Sequence, residues 1–364
     1  MWNEKTLNND LKRLRVLYNK EKNPTKKFEF SNYIQLVEEM ITNYMNYKKQ
    51  FELAKMTGGD EVVLETPEYG GGLFQENRYI IPAYKVYIPH VRKFIREVFP
   101  YADMLDDIEK TESKNFGFKE LLELTESFYG KVGGDYYKKY KEIAMDKRRW
   151  INFEDCSAVR SETYFIPGLN KYYMNLGIDD NDDEILEAYI HEVGHIIAGK
   201  MNNRRYNSSD YIYEIESLFF EIIADRFLRK ECDDPYFTYL EKSKLSENYQ
   251  KGQIIDIYDI AYNEVIKNIT KINNPDKVFE GVAKDEGLIS FDNISFAVCA
   301  RYAISYICAI ELAMIFEEDK ERALALLQNI ITEDKTVSEY EKIVRNITPN
   351  EHVKKYLKEI KRTS

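Results

Sequence analysis

The residues best suited to catalysis are two histidines and a glutamate near the middle of the chain. His191 and His195 are four residues apart, and Glu192 directly follows the first histidine. An α-helix advances one turn in 3.6 residues, so both imidazoles are expected on one face, about one turn apart. There they can bind a single tetrahedral Zn²⁺, and Glu192 can meet the water that the metal activates. The spacing predicts a catalytic-type zinc site.

A catalytic zinc usually has three protein ligands and keeps a fourth position for water. Glu214 is the candidate for the third ligand, because it opens a second helical pattern with eighteen residues between it and His195. Glu216 lies about 200° around that helix from Glu214, so both cannot face one metal. The sequence predicts one zinc ion per chain, bound by His191, His195 and Glu214.

Two further acidic residues are candidates to hold the ligands in place. Ligating histidines normally donate their second ring nitrogen to a hydrogen-bond acceptor. Glu221 and Asp225 lie two and three turns beyond Glu214 on roughly its face, beside apolar residues. We expect them to accept these hydrogen bonds, and the alternative is that they are ordinary acids on the helix surface.

Helical periodicity dominates the chain, so the predicted fold class is mainly α. Three short aromatic and β-branched segments, 150–153, 161–166 and 172–176, precede the metal helix and are expected to pair as a small sheet beside it. The acidic run 179–184 suits the positive end of the helix that follows. It lacks the glycine and the spaced ligands of a calcium loop.

The first 89 residues are predicted to form two helices followed by an irregular connection. A charged amphipathic helix over 6–22 is predicted to stop at Asn23-Pro24, and Ser31 is predicted to cap a longer helix that runs to about residue 56. An irregular connection that could include a hairpin follows. We therefore predict an N-terminal helical segment over 1–89 and a helical domain with the zinc site over 90–364.

Charge and cysteine content bound the compartment and the partners. The chain has 52 Lys+Arg against 63 Asp+Glu, a net charge of −11, and no basic tract. Binding to phosphates needs clustered positive charge, so nucleic acid is not an expected partner. The four cysteines form no CxxC motif, which suits reduced thiols in the cytoplasm. No signal peptide and no apolar run near 18 residues is recognised, so we expect a cytoplasmic protein without a membrane partner.

Three stretches resemble the oligoendopeptidase F and thimet oligopeptidase family of zinc metallopeptidases. The segment 150–164 is similar to the one that precedes the family's metal helix. The residues 191–195 and 214–221 are similar to its HExGH motif and its Glu-x-x-Ser-x-x-x-Glu helix, and 302–313 to its C-terminal tyrosine-bearing helix. The resemblance is good over about 145–225.

The resemblance implies a fold, an activity and further site residues. It implies a two-lobed helical zincin-type peptidase, a gluzincin, whose channel admits short unstructured peptides and excludes folded proteins. Tyr164 and Phe165 would belong to the edge along which the substrate backbone lies. Tyr302 or Tyr306 would hold the oxyanion, although a helical tyrosine is more often a core residue. Glu192 would act as the general base of a zinc-dependent endopeptidase.

The chain also departs from the family's pattern. It is shorter than typical members, the connection between His195 and Glu214 is shorter than in oligoendopeptidase F, and residues 196–351 contain no histidine, although the family has one shortly before its tyrosines. Two alternatives therefore stay open. One is an aminopeptidase or carboxypeptidase on the same zinc core, for which Arg160 and Arg301 are too common a residue type to decide. The other is a catalytically weak zinc-containing protein that binds peptides.

Overall fold

The structure is a computed structural model that describes residues 4–57, 74, 77–106, 118–145, 150–153, 161–166, 169, 171–177, 185–202, 214–286, 295–332, 342 and 351–362. The chain forms two compact units, and each is built from two stretches. The first unit consists of Met1–Thr66 and Ser113–Asn207, and the second of Pro67–Glu112 and Ser208–Ser364. These units differ from the predicted division at residue 89, because the chain passes from one to the other three times.

The described residues of the first unit form four long helices, one shorter helix and three strands. They are α1 Glu4–Lys20, α2 Pro24–Thr57, α6 Phe118–Val132, α7 Gly134–Met145, β1 Trp150–Phe153, β2 Glu162–Ile166, β3 Lys171–Gly177 and α8 Ile185–Asn202. Leu7, Leu11 and Leu14 recur at helical spacing on α1 and are buried against Val37 and Met40 of α2. This apolar stripe accounts for the pairing of the two N-terminal helices.

The start of α2 differs from the prediction. The helix begins at Pro24, and Ser31 lies inside it rather than at its cap. The side chain of Asn23 accepts hydrogen bonds from the backbone N–H groups of Thr25 (3.0 Å) and Lys26 (3.3 Å). Proline at the first helical position has no N–H to satisfy, so an Asn-Pro pair makes a better start than Ser31.

The three strands form the small sheet that the sequence predicts. Their order is β1-β3-β2, with β1 parallel and β2 antiparallel to β3. Helix α8 packs against β2 and β3, so the sheet lies beside the helix that has the two histidines. The acidic run 179–184 is outside the described residues, and α8 begins at Ile185, directly after it.

The second unit is helical throughout its described residues. Its α-helices are α3 Ile80–Tyr84, α4 Ile88–Val98, α5 Ala102–Asp106, α9 Ile215–Cys232, α10 Pro235–Asn268, α11 Pro275–Asp285, α12 Phe296–Glu318, α13 Lys320–Thr332 and α14 Glu351–Arg362, with 3₁₀ turns at Phe99–Tyr101 and Ile269–Lys271. Part of the segment expected to be irregular is thus the short helix α3. The remainder of that segment, including any hairpin, is outside the described residues.

Helix α12 is the core of the second unit. It packs against α4, α9, α10, α13 and α14. Contrary to the sequence-based expectation, it is long and apolar enough to cross a membrane by length and composition, but 83% of that apolar stretch is buried inside the protein. Such burial is typical of the central helix of a globular unit, whose apolar surface is covered by neighbouring helices.

Candidate metal centre

The two histidines of the first unit lie on one face of α8, as their spacing predicts. Nε2 of His191 and Nε2 of His195 are 3.0 Å apart, and the rings are almost perpendicular, with centroids 4.6 Å apart. Two nitrogens bound tetrahedrally to zinc at ordinary distances would be separated by about 3.3 Å. The two ring nitrogens therefore converge to within a few tenths of an ångström of the separation that one zinc ion requires.

Glu192 and the sheet are connected through the backbone of α8. The Glu192 side chain is buried. The backbone carbonyl oxygen of Glu192 accepts a hydrogen bond from Thr163 Oγ1 of β2 at 3.4 Å. This hydrogen bond joins the backbone of α8 at residue 192 to β2.

A group of buried tyrosines packs against α8 within the first unit. Tyr189, two residues before His191, is buried together with Tyr129, Tyr140 and Tyr172. Burial, together with the neighbouring phenols, raises the pKa of Tyr189 well above its ordinary value, so its phenol is neutral at physiological pH. At the other end of α8, Lys200 Nζ donates to Glu142 Oε2 of α7 at 3.1 Å. Helix α8 is therefore in contact with both α6 and α7.

Glu214 lies in the second unit, at the N-cap of α9. Its side chain makes no capping hydrogen bond to its own helix, although its carbonyl oxygen accepts from Leu218 N at 3.0 Å. The carboxylate is buried, and Arg301 Nη1 of α12 is 3.9 Å from its Oε1. A negative charge at a helix N-terminus is favoured by the helix dipole. Arg301 and the N-terminus of α9 thus both present positive charge to the Glu214 carboxylate.

The three predicted ligands form a suitable donor set for zinc. His191, His195 and Glu214 each offer one ligand atom, and together they provide two imidazole nitrogens and one carboxylate oxygen. Two histidines and one glutamate are the ligands of a common class of catalytic zinc site, which leaves a fourth position for water. By their chemistry, these residues fit the predicted cofactor.

The structure places a lysine between the two acids predicted to support the ligands. Lys244 Nζ of α10 lies 3.0 Å from Glu221 Oε2 and 2.8 Å from Asp225 Oδ2, and all three side chains are largely buried. One cation reaches both carboxylates, so the two acids do share a face of α9. Their hydrogen bonds to the histidines stay a prediction. Sequence reasoning missed Lys244, although it occupies the buried stripe of α10 between Leu240 and Asn248.

The two candidate tyrosines of α12 have different surroundings. Tyr306 is fully buried, and its hydroxyl lies 3.3 Å from the hydroxyl of Tyr356. Burial raises the pKa of the Tyr306 phenol, and the ring packs edge-on against Phe94. Tyr302 is only partly buried, and Lys251 Nζ lies 4.3 Å from the centre of its ring. Accessibility therefore favours Tyr302 over Tyr306 as a residue that meets a substrate.

The predicted substrate edge is a strand at the edge of the small sheet. In β2, Tyr164 is paired with Tyr173 of β3, and Phe165 with Tyr172. Because β3 is the central strand, β2 pairs on one side only among the residues that the structure describes. An edge strand presents backbone donors and acceptors to which an extended peptide can add.

Comparisons with known proteins identify relatives of the fold. No family model matches the chain. Its structure is similar to a chain assigned as a peptidase from Chlamydophila abortus (TM-score 0.57, 14% identity, covering 82% of this chain and 58% of that one). It is also similar to a chain assigned as oligoendopeptidase F from Bacillus anthracis str. Ames (TM-score 0.50, 14% identity, covering 97% of this chain and 69% of that one). A third similar structure is PZ peptidase A with a bound inhibitor (TM-score 0.54, 12% identity, covering 93% of this chain and 68% of that one).

A sequence relative covers less of the chain. This chain is 30% identical over 152 residues to a protein assigned as a tRNA-specific 2-thiouridylase from Plasmodium falciparum (isolate 3D7). The matched stretch is 40% of this chain and 11% of that protein. The chain thus spans a small part of that relative and about three fifths of the Chlamydophila chain. At 12–14% identity, the structural likeness concerns the fold. The fold is mainly α, as predicted, and resembles that of oligoendopeptidase F.

Proposed function

We propose that this chain is a zinc-dependent metallopeptidase that cleaves short unstructured peptides internally. The observation that carries the proposal is the convergence of His191 Nε2 and His195 Nε2 at 3.0 Å, with the buried Glu192 beside them. A pair of core histidines needs neither this convergence nor an adjacent buried acid. The names of the structural neighbours, a peptidase, oligoendopeptidase F and PZ peptidase A, support the same class of reaction.

The proposed zinc ligands are His191, His195 and Glu214. A bound zinc ion would supply Lewis acidity, polarising a water molecule and the scissile carbonyl. Glu192 accepts a proton from the water as it attacks the carbonyl carbon, and then donates it to the leaving amine. Tyr302 donates a hydrogen bond to the developing oxyanion. The edge of β2, with Tyr164 and Phe165, aligns the substrate backbone.

Partners and compartment follow from the same proposal. Short peptides are the proposed substrates, and neither nucleic acid nor a membrane is a proposed partner, since the chain is acidic and its apolar helix α12 is covered by its own unit. A cytoplasmic location, where peptides accumulate from protein turnover, is proposed with it.

The test compares purified zinc-loaded wild type with Glu192→Gln on a mixed pool of short peptides, with products identified by mass spectrometry. We expect internal cuts by wild type and a loss of about 10²–10⁴-fold in the variant, because general acid–base catalysis contributes that much. Zinc content, measured by elemental analysis, should be equal in both. The matched control is Glu123→Gln, the same chemical change on the exposed surface of α6.

Each alternative gives a different pattern of products. Removal of single residues from one end would replace the endopeptidase proposal with an exopeptidase on the same core. If wild type binds zinc and leaves every peptide intact, the peptidase proposal is wrong, and a zinc-containing peptide-binding protein takes its place. The absence of histidine between residues 196 and 351 would then explain the lost activity.

A further inference from the structure

Arg301 is the only lysine or arginine in the 23 residues of α12. The helix is the apolar centre of the second unit, and most of its side chains are fully buried. The Arg301 side chain is itself only 29% exposed. A mostly buried guanidinium is costly unless hydrogen-bond acceptors compensate it.

The described partners leave most donors of Arg301 unused. The one ion pair found for it is to Glu214, with Nη1 3.9 Å from Oε1, a distance too long for a hydrogen bond. Its Nε is buried and has no hydrogen-bond acceptor among the described residues. A guanidinium carries five N–H donors in a rigid fork that matches a carboxylate. This fork therefore has capacity for an anion.

A second polar group lies on the same face of α12. Ser305 is one turn beyond Arg301, and its hydroxyl is buried with no hydrogen-bond partner among the described residues. Residues four apart on a helix are neighbours on its surface. Arg301 and Ser305 thus form a pair of incompletely satisfied donors one turn apart in the mostly apolar N-terminal half of α12.

The charges around Arg301 and Glu214 determine whether a ligand bound at Arg301 would be an anion or a cation. Under the proposed function the Glu214 carboxylate is a zinc ligand, so its negative charge is shared with a dication and compensates Arg301 less. The net charge around the guanidinium then becomes more positive, which attracts an anion and repels a cation. Peptide substrates have one kind of anionic group, the carboxylate, at the C-terminus or on Asp and Glu side chains.

We propose that Arg301 is a specificity-determining residue that binds a carboxylate of the peptide substrate through its guanidinium fork. This inference rests on the proposed function and adds a substrate class to it: peptides with an anionic group near the bond that is cleaved. Bidentate guanidinium–carboxylate pairs are among the stronger hydrogen-bonded interactions of proteins, so one such contact selects clearly between charged and neutral peptides.

The test measures binding rather than turnover. Zinc-loaded Glu192→Gln protein is titrated calorimetrically with an acetylated alanine-rich pentapeptide as the free acid and as the C-terminal amide. A second pair, both amidated, carries Asp or Asn at the central position. We expect the carboxylate member of one pair to bind about tenfold more tightly than its neutral partner. The first pair identifies the C-terminus as the source of the carboxylate, and the second pair identifies a side chain.

The same titrations in three Arg variants, each made in the Glu192→Gln background, attribute the preference to one residue. Arg301→Met should abolish it, and Arg301→Lys should reduce it to about threefold, because the charge is kept and the fork is lost. Arg322→Met, on the exposed start of α13, is the matched control and should retain it. Zinc content and circular dichroism check that each variant is folded and loaded.

Several outcomes would overturn the inference. It fails if the Glu192→Gln protein binds both members of each pair equally, a result that needs no Arg301 variant to fold. It also fails if the preference survives in Arg301→Met. Failure of the peptidase proposal looks different: the wild type would cleave no peptide while the carboxylate preference and its dependence on Arg301 persist.

Discussion

Two mostly buried arginines of the second unit have opposite surroundings. Arg226 of α9 is surrounded by carboxylates: its Nε and Nη2 lie 2.9 Å and 3.0 Å from the two oxygens of Glu317, its Nη1 lies 3.2 Å from Glu241, and Glu359 is also in contact. Among the described residues, one ion pair is found for Arg301, at 3.9 Å from Glu214. The first arginine is compensated within the protein, whereas the second is compensated only in part.

The surroundings of Arg226 are those of a structural group. Burial alone would lower the pKa of its guanidinium, but the charge of Glu241 and the hydrogen bonds to Glu317 outweigh burial and raise the pKa. These contacts join α9, α10, α12 and α14 around one cation. Buried charges that satisfy one another fix a structure, and buried charges that do not are candidates for binding a ligand.

The largest expected effect comes from removing the acid next to Arg301. Glu214→Ala should weaken zinc binding by ~100-fold or more, since even groups that only support ligands cost 10–100-fold. Peptide cleavage should fall with it. The free energy of unfolding of the zinc-free protein should change by less than about 1 kcal/mol, because the long contact to Arg301 adds little to stability. Zinc competition with a chelating dye and urea unfolding measure the two effects.

If Glu214→Ala unfolds the zinc-free protein, the acid is structural, and the contrast between the two arginines disappears. Glu123→Ala, at an exposed position of α6, controls for the loss of a glutamate side chain and should leave both zinc affinity and stability unchanged.

The next effect concerns the structural arginine. Arg226→Met should lower the free energy of unfolding by about 3–5 kcal/mol, because it removes the buried cation shared by Glu241, Glu317 and Glu359. Glu241 keeps a close second partner, Arg229. Zinc affinity of the folded protein should stay the same. Urea unfolding followed by circular dichroism gives the first quantity. Arg322→Met, the same change on the exposed surface, should shift stability by no more than about 0.5 kcal/mol.

Local sequence signals account for most of the helices and for the histidine pair. The i, i+4 spacing of His191 and His195 fixes their face because helix geometry is local. The predicted start of α2 at Ser31 was wrong because the sequence offers two candidate N-caps. Asn23, followed by Pro24, is the one whose side chain accepts hydrogen bonds from the first backbone N–H groups of the helix. Both cap signals are local, so the sequence itself contains the information that selects the Asn23-Pro24 start.

Partners from other helices could not be predicted in the same way. The carboxylates around Arg226 come from residues 15, 91 and 133 positions away, and no periodicity encodes which helices meet. Lys244 and Arg301 were visible only as charged residues in buried stripes. Such a residue signals that a partner exists, but helix packing decides which partner it is.

Acid should reduce the effect of the Arg226 substitution. Burial alone would raise the pKa of Glu317, but hydrogen bonds and charge from Arg226 lower it below the ordinary value of 4.5. A lowered carboxyl pKa adds stability that is complete above the unfolded-state pKa and is lost as the pH falls through the folded-state pKa. The stability difference between wild type and Arg226→Met should therefore be constant from pH 7 to 5 and shrink below about pH 4.5. Urea unfolding across this range measures it, and a difference that grows in acid would contradict the ion-pair explanation.

The smallest expected effect separates the two tyrosines of α12. Tyr306→Phe removes the buried hydroxyl that contacts the hydroxyl of Tyr356. The variant should therefore have a free energy of unfolding lower by about 0.5–1.5 kcal/mol and a kcat changed less than twofold. Tyr302→Phe should do the reverse, because its partly exposed ring lies against Lys251 rather than in the core. Its kcat should fall about tenfold at unchanged stability, as expected when one donor to an oxyanion is lost while the metal remains. Parallel urea unfolding and peptide-cleavage kinetics on the two variants decide the matter. A loss of kcat in Tyr306→Phe alone would mean that the buried phenol, despite its contact with Tyr356, is the one that reaches the substrate.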